Sequence, residues 1–187
     1  MHTDPAHAPA PSLPPSLPPS LLPSLLRRAA EDAPTVHVAG VGVTVRTLVA
    51  TAESGGALAL LEYTAPPRFR GPAPHWHAML TETFVGLDGA PVLHAGGEQT
   101  TLGPGAVVLV PPRVVHAFAN PGDAPARFLV AATPGMGLEG YFAELATLIA
   151  ASPVWPPADP TAVAALARRY DTFAPADLAA SGAPRAG

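Results

Sequence analysis

Two stretches of the chain decide its fold: GPAPHWHAMLTETFVGLDG at residues 71–89 and GAVVLVPPRVVHAFAN at residues 105–120. Each joins short apolar and aromatic runs to Gly or Pro, which is typical of β-strands separated by tight turns. The first stretch carries His75 and His77, and the second carries His116. Side chains two residues apart on a strand share one face at a spacing of about 6.6 Å. His75 and His77 can therefore reach the same point in space.

The same stretches contain a candidate metal-binding set. A His-x-His pair alone is a weak signal, because two histidines near a Pro-rich turn are often just exposed polar residues. Here a carboxylate follows after four residues, and a third histidine begins a later strand. Three imidazoles and one carboxylate suit one divalent transition metal per chain, namely Mn, Fe, Co, Ni, Cu or Zn. The chain has no cysteine, so nitrogen and oxygen are the donors to expect. The candidate ligands are His75, His77, Glu82 and His116.

Similar β-type runs continue on both sides of these stretches. They recur roughly every 8–12 residues between turn residues, which predicts an all-β sandwich or barrel over residues 33–135. The expected strands are Val36–Val38, Val43–Ala50, Ala57–Thr64, His75–Met79, Glu82–Leu87, Val92–His94, Val107–Val110, His116–Ala119 and Arg127–Thr133.

The two ends of the chain differ from this β region. Residues 1–32 are rich in proline, which fixes φ and removes a backbone donor, so a disordered or extended tail is expected there. A short helix is expected near residues 24–32. Residues 136–187 show helical periodicity and predict two amphipathic helices followed by a frayed end. The second of these helices has Asp159 as its expected N-cap and Pro160 as its first residue.

Composition excludes several classes of function. Charged residues are 13% of the chain, the formal net charge is −4, and the ten basic residues are scattered arginines. Without a basic stripe, binding to nucleic acid is not expected. No apolar run approaches the ~18–20 residues of a membrane-spanning helix, so no membrane partner is expected. With no cysteine and no convincing secretory signal, we expect a cytoplasmic protein.

The spacing of Gly, His, Glu and Asn in the two stretches resembles the two conserved motifs of the cupin superfamily, in particular its small single-domain, quercetinase-like bacterial members. Residues 90–104 form the short spacer between the motifs, and Asn120 falls on the last motif position. Two positions differ from the family pattern. Gly71 lies closer to the first histidine than usual, and Arg113 stands where the second motif usually has Gly. Positive φ is costly for arginine, so the shape of that turn is in question.

The resemblance implies a double-stranded β-helix, or jelly-roll, barrel that holds the metal inside near one mouth. It also implies a small-molecule ligand and a homodimer. Alternation along the strands then places four side chains in the pocket, which would be apolar around one polar centre. These are Met79, Phe84, Val114 and Phe118. The alternative is that Phe84 and Phe118 simply fill the barrel interior.

Three functions follow from the resemblance. The first is a metal-dependent dioxygenase for a small aromatic or enolic substrate, such as a flavonol or a diketone, in which Glu82 is both metal ligand and proton acceptor. The second is a non-redox isomerase or lyase that uses the metal as a Lewis acid. The third is a binding or sensor module without catalysis, since a fold alone does not determine function.

Overall fold

The computed structural model describes residues 29–152, 154–157 and 159–180. Most of the expected Pro-rich tail lies outside the described residues. The same holds for most of the helix expected near residues 24–32, of which the structure describes a 3-10 turn at Ala30–Asp32.

Short antiparallel strands dominate the described chain, and helices follow them, as the sequence predicts. The strands are β1 (Thr35–Val38), β2 (Val43–Val49), β3 (Ala59–Ala65), β4 (Trp76–His77), β5 (Thr81–Asp88), β6 (Val92–Ala95), β7 (Glu98–Thr101), β8 (Val107–Val110), β9 (His116–Ala119), β10 (Ala126–Thr133) and β11 (Thr172–Phe173). The helices are α1 (Leu138–Ala150), α2 (Thr161–Arg169) and α3 (Pro175–Ala180).

The strands form a jelly roll of two layers. One layer is a six-stranded sheet in the order β1-β2-β3-β10-β5-β8. The other contains a three-stranded sheet, β7-β6-β9, and a two-stranded sheet, β11-β4. A bridge between His75 and His116 joins these two smaller sheets through reciprocal backbone hydrogen bonds of 3.0 and 2.8 Å. The bridge places two of the candidate metal ligands side by side.

Alternation of side chains along the strands creates the core between the layers. In β2, Val43, Val45 and Thr47 are buried, whereas Thr44 and Arg46 between them are only partly buried and lie on the outer face of the sheet. The interior is rich in aromatic residues, and the rings of Phe84 and Phe128 are almost fully buried. Burial of such large apolar side chains is the main stabilising contribution in a fold of this kind.

The C-terminal part contains the two predicted helices, α1 and α2, and in addition strand β11 and helix α3. Helix α1 buries Leu138, Phe142 and Ile149 on one face. Helix α2 begins at Thr161 rather than at Pro160, and Asp159 Oδ1 accepts a hydrogen bond of 2.9 Å from the Thr161 amide. None of the helices in the described part of the chain is long and apolar enough to cross a membrane.

Most of the end that is expected to fray lies outside the described residues. The described part of the C-terminus contains two short elements that the sequence does not predict. Residues 172–173 form strand β11, and residues 175–180 form helix α3. Contacts with β4, which lies far away in sequence, hold this segment. Strand β7 was also not expected, because its sequence EQTT is exposed throughout and lacks an apolar alternation.

Candidate metal centre

Four side chains from different elements converge at one end of the barrel. His75 lies at the bridge beside β9, His77 ends β4, Glu82 lies near the start of β5, and His116 begins β9. Each offers one ligand atom, and these atoms all lie within 4.8 Å of one another. The structure therefore brings together the complete ligand set that the sequence predicts.

Hydrogen bonds to the main chain fix the orientation of all three imidazole rings. The Nδ1 atoms of His75, His77 and His116 lie 2.9, 2.9 and 3.0 Å from backbone carbonyl oxygens. A carbonyl oxygen only accepts, so each Nδ1–H donates and each Nε2 is the ring nitrogen available to the centre. The three acceptors are the carbonyls of Ala73, Asp171 and Val114. Ligand histidines in metal sites are held in this way.

The cluster is buried, and its hydrogen bonding is incomplete. Glu82 Oε2 lies 2.8 Å from His116 Nε2 and 3.3 Å from His77 Nε2. His77 Nε2 is nevertheless buried without a hydrogen-bond partner. A buried nitrogen in this state costs free energy unless something binds it. Since the donors are nitrogen and oxygen atoms around one point, they fit a divalent transition metal.

The electrostatics of the cluster distinguish its members. Burial, together with the neighbouring His116, lowers the pKa of His75 to about 4, so His75 is neutral at physiological pH. Burial also opposes protonation of His77, but the adjacent Glu82 carboxylate outweighs it and raises the pKa of His77. Burial alone would raise the pKa of Glu82, yet His116 and His77 hold it well below its usual range. The carboxylate of Glu82 is therefore ionised at neutral pH.

A cavity of about 1050 Å³ opens from this cluster. It lies between the inner face of the barrel and the C-terminal helices. Its size is at the upper end of the ~300–1,000 Å³ typical of small-molecule sites. Its walls include His75, His77, Glu82, Tyr63, Phe84, Phe118, Tyr141, Phe142 and Val163.

Two tyrosines are among the polar groups of this largely apolar cavity away from the cluster. Its other charged and polar lining residues are Arg68, Arg70, Arg168, Thr172 and Asp177. The Tyr63 ring stacks on Phe128 with centroids 5.3 Å apart, and the rings of Phe118 and Phe142 meet it edge-on at 5.3 and 5.4 Å. Burial raises the pKa of Tyr63, with Tyr141 and Glu82 adding to the shift, and burial also raises the pKa of Tyr141. Both hydroxyls therefore stay protonated and can donate a hydrogen bond to a ligand oxygen.

The four side chains that alternation assigned to the pocket differ in position. Phe84 and Phe118 line the cavity and are also packed into the aromatic core. Met79 is 60% exposed and points away from the barrel interior, because β4 ends at His77 and the alternation does not continue into the turn. Val114 is half-buried against the barrel core rather than among the residues of the cavity wall.

The turn before His116 has the unusual backbone that the Gly-to-Arg difference suggested. Arg113 has a φ of 68°, in the left-handed region. Its backbone N–H donates to the carbonyl of His77 at 2.7 Å, so the turn is tied directly to a ligand strand. Gly71 also has a positive φ, and a Cβ built on it would lie 1.6 Å from the Phe118 carbonyl oxygen. Only glycine fits at that contact.

Sequence reasoning missed one residue of the centre. Asp171 lies outside the barrel sequence, yet its carbonyl accepts the His77 Nδ1–H bond, and its buried carboxylate binds the turn after His77. No local pattern marks it, because its partners lie more than ninety residues earlier in the chain.

Comparison with known proteins agrees with this geometry. The model of the cupin domain family matches residues 61–132. Among solved structures, the chain is similar to the polyketide cyclase RemF from Streptomyces resistomycificus, with 25% identity and a TM-score of 0.51 over 59% of this chain and 80% of that one. It is also similar to a predicted oxalate decarboxylase from Thermotoga maritima, with 18% identity and a TM-score of 0.53 over 58% of this chain and 99% of that one.

A third similar structure is an RmlC-like cupin from Shewanella frigidimarina, with 17% identity and a TM-score of 0.52 over 60% of this chain and 93% of that one. The similarities to the Thermotoga maritima and Shewanella frigidimarina structures, at 18% and 17% identity, show the fold alone. No functionally curated protein matches the chain in sequence.

Proposed function

Because the chain belongs to the cupin superfamily, we propose that it is a metal-dependent enzyme acting on an enolisable aromatic substrate of polyketide type. The observation that carries this proposal is the opening of the His75, His77, Glu82 and His116 cluster directly onto a large cavity walled by aromatic side chains. A divalent ion bound by these four residues supplies Lewis-acid stabilisation of an enolate oxygen.

The remaining residues of the cavity suit such a substrate. Phe84, Phe118 and Phe142 provide flat apolar surfaces for aromatic rings. Tyr63 and Tyr141 stay protonated and donate hydrogen bonds to carbonyl or phenol oxygens away from the ligand cluster. A volume of about 1050 Å³ accommodates a ligand of several rings.

Glu82 is the candidate proton acceptor. Its carboxylate is ionised at neutral pH, and its Oε2 contacts both His77 and His116. A general base works best when its pKa lies near the working pH, and His116 and His77 hold the pKa of Glu82 well below that range. Proton acceptance by Glu82 therefore requires a substrate whose own proton is acidic, as that of an enol or phenol is.

The reaction that we favour is redox-neutral ring closure or isomerisation. The support is the polyketide cyclase, which resembles this chain at 25% identity over 59% of its length. Dioxygenation of a flavonol or diketone is the second candidate, because three histidines and one glutamate leave coordination positions open for a further ligand. Both reactions would begin with the loss of a proton from the substrate, for which Glu82 is the candidate acceptor.

One experiment tests the proposal and separates the two reactions. The purified protein is loaded with Zn(II), Ni(II) or Fe(II) and incubated with a flavonol, a 1,3-diketone, a catechol and a poly-β-ketone mimic, with and without dioxygen. Turnover without dioxygen and with Zn(II) is the expected result. Turnover that requires dioxygen and a redox-active metal indicates the dioxygenase. If the metal-loaded protein turns over none of these compounds, the enzyme proposal fails for this substrate class, and binding without turnover indicates a sensor.

The metal requirement has a matched pair of variants. His116→Ala is expected to lower metal content and abolish turnover, because it removes a buried ligand at the centre. His94→Ala removes an exposed histidine of the adjacent strand β6 and is expected to leave both unchanged. Equal metal content in wild type and His116→Ala would contradict the ligand assignment.

A homodimer is also part of the proposal. Val107 and Leu109 of β8 are about 60% exposed, and their cross-strand neighbours Val85 and Thr83 lie on the same outer face. Within the described residues, β8 is an edge strand without a charged side chain. Stable proteins usually cover an apolar edge of this kind, and a second copy of the chain is the proposed cover. The cytoplasmic location expected from the sequence stays a prediction.

A further inference from the structure

A segment near the C-terminus pairs with the strand that contains His77. This segment, Asp171–Ala174, is called the clamp here, and it lies well beyond residues 61–132, which the cupin domain matches. Its strand β11 pairs with β4, so that Thr172 faces His77 and Phe173 faces Trp76. Strand β4, which contains the candidate ligand His77, is thus paired with a strand from outside the barrel sequence.

The carboxylate of Asp171 binds the turn between His77 and Glu82. It accepts three backbone N–H groups in succession, from Ala78 at 3.1 Å, Met79 at 2.7 Å and Leu80 at 2.8 Å. Hydrogen bonds to an ionised acceptor are stronger than neutral ones, especially when the acceptor is buried. This turn sets the spacing between the two ligands, so its shape determines whether they point at one ion.

The backbone of the clamp also controls the His77 ring. The carbonyl oxygen of Asp171 accepts the Nδ1–H of His77 at 2.9 Å. The indole N–H of Trp76 donates to the Ala174 carbonyl at 2.9 Å, and its ring stacks on Phe173 with centroids 4.9 Å apart. These contacts leave His77 Nε2 aimed at the cluster.

Asp171 itself adopts a costly conformation to make these contacts. Its φ is 56°, in the left-handed region, where side chains other than Gly, Asn and Asp are rare. Its side chain is buried in spite of its charge. A residue keeps such a conformation only where the surrounding contacts hold it, and this is common near functional sites.

We propose that Asp171 is a positioning residue for the metal centre: its carboxylate holds the turn that spaces His77 from Glu82, and its carbonyl fixes the tautomer and orientation of His77. This inference rests on the proposed metal centre. Removal of partners that orient metal ligands typically weakens metal affinity ~10–100-fold. Because coupling between binding and order is reciprocal, a bound metal also stabilises the clamp.

The substitutions that test Asp171 must tolerate its positive φ. Asp171→Asn keeps the size of the side chain and tolerates positive φ, but its amide has a single acceptor oxygen for three N–H groups. Asp171→Gly tolerates the same φ and removes the carboxylate completely. Asp159→Asn is the matched control, because Asp159 also lies in the C-terminal part and accepts a backbone N–H, that of Thr161, but contacts neither the clamp nor the strand of His77.

The measurement is Co(II) titration of the full chain by calorimetry and visible absorption, with circular dichroism to verify folding. We expect about tenfold or greater weakening for Asp171→Asn, more for Asp171→Gly, and a changed Co(II) absorption spectrum in both. Asp159→Asn should keep the wild-type affinity and spectrum. A folded Asp171→Asn protein with wild-type affinity and spectrum overturns the inference, whereas a wild type that binds no Co(II) overturns the metal centre itself.

A second measurement applies if the Asp171 variants do not fold. Amide hydrogen exchange of the wild type is followed with and without Co(II). We expect Co(II) to slow exchange in the clamp, where the Thr172 and Phe173 backbone pairs with β4. Unchanged exchange in the clamp, together with slower exchange around His116, would show that the metal binds without engaging the clamp and would contradict the inference.

Discussion

Arg113 carries strain that a single substitution should relieve. Its φ of 68° costs an L-residue roughly 1–2 kcal/mol. Glycine avoids this cost, but it loses more conformational entropy on folding, which offsets about 0.5–1 kcal/mol of the gain. We therefore expect Arg113→Gly to raise the free energy of unfolding by about 0.5–1 kcal/mol. Urea denaturation of the metal-free protein measures it. The Arg113 side chain is exposed, so metal affinity should not change.

The control at the same position is Arg113→Val. A β-branched side chain is disfavoured at positive φ, so this variant should be less stable than wild type. Equal stability of the Gly and Val variants would show that the left-handed turn is absent in solution.

Metal binding should depend on pH through His77. The Glu82 carboxylate outweighs the effect of burial and raises the pKa of His77 above its unfolded value of about 6.5. In the metal-free protein, the pairing of protonated His77 with Glu82 therefore stabilises the fold fully below pH 6.5. This stabilisation is lost as the pH rises through the folded-state pKa. A metal must displace the His77 proton at low pH. We expect the metal-induced increase in melting temperature to grow between pH 5.5 and 8.5, as thermal denaturation with and without Zn(II) measures.

His75 provides the control for this pH dependence. Its pKa is lowered to about 4, so it releases no proton when a metal binds above pH 5.5. His75→Ala should weaken Zn(II) binding and leave the number of protons released per ion unchanged, as calorimetry in buffers of different ionisation enthalpy reports. Loss of proton release in this variant would assign the titration to His75 instead.

At the scale of elements, the sequence predicts the strands and helices that bury one apolar face against the core. Strands such as β2 and β5 alternate buried and exposed residues, and α1 has one apolar face, so their periodicity is visible in the chain. The exposed strand β7 has no alternation to detect. Strand β11 is two residues long, and only its distant partner β4 makes it a strand. The clustering of the four candidate ligands was predictable from their spacing. The clamp that orients His77 was not, because it depends on this long-range pairing.

The close approach of β5 to the loop before β8 gives an element-scale prediction. A Cβ on Gly86 would lie 2.1 Å from the Gly103 carbonyl oxygen and 2.6 Å from that of Leu102, which are backbone atoms that cannot move aside. Gly86→Ala should therefore destabilise the protein by about 1–3 kcal/mol. Gly103→Ala is the matched control, because a Cβ there meets no atom within 4 Å. Urea denaturation should separate the two variants, and equal midpoints would contradict the packing at Gly86.

At the scale of the whole molecule, the site depends on both parts of the chain. The barrel supplies the four candidate ligands, and α1 and α2 close the cavity that the ligands face. The clamp connects the two parts through β4. The cavity and the metal centre thus form one unit, and neither would be complete in a protein that ended with β10.

The outer face of the six-stranded sheet gives the last prediction. If two copies meet through β8, wild type should have twice the chain mass of 18.9 kDa in light scattering coupled to size exclusion. Leu109→Lys places a charge at the centre of the exposed apolar face and should shift the protein to the monomer. Val154→Lys, at a residue that is also exposed but lies outside this face, should remain dimeric. A monomeric wild type would contradict this interface, and so would a dimeric Leu109→Lys variant. A monomer is the result expected if another part of the same chain covers β8.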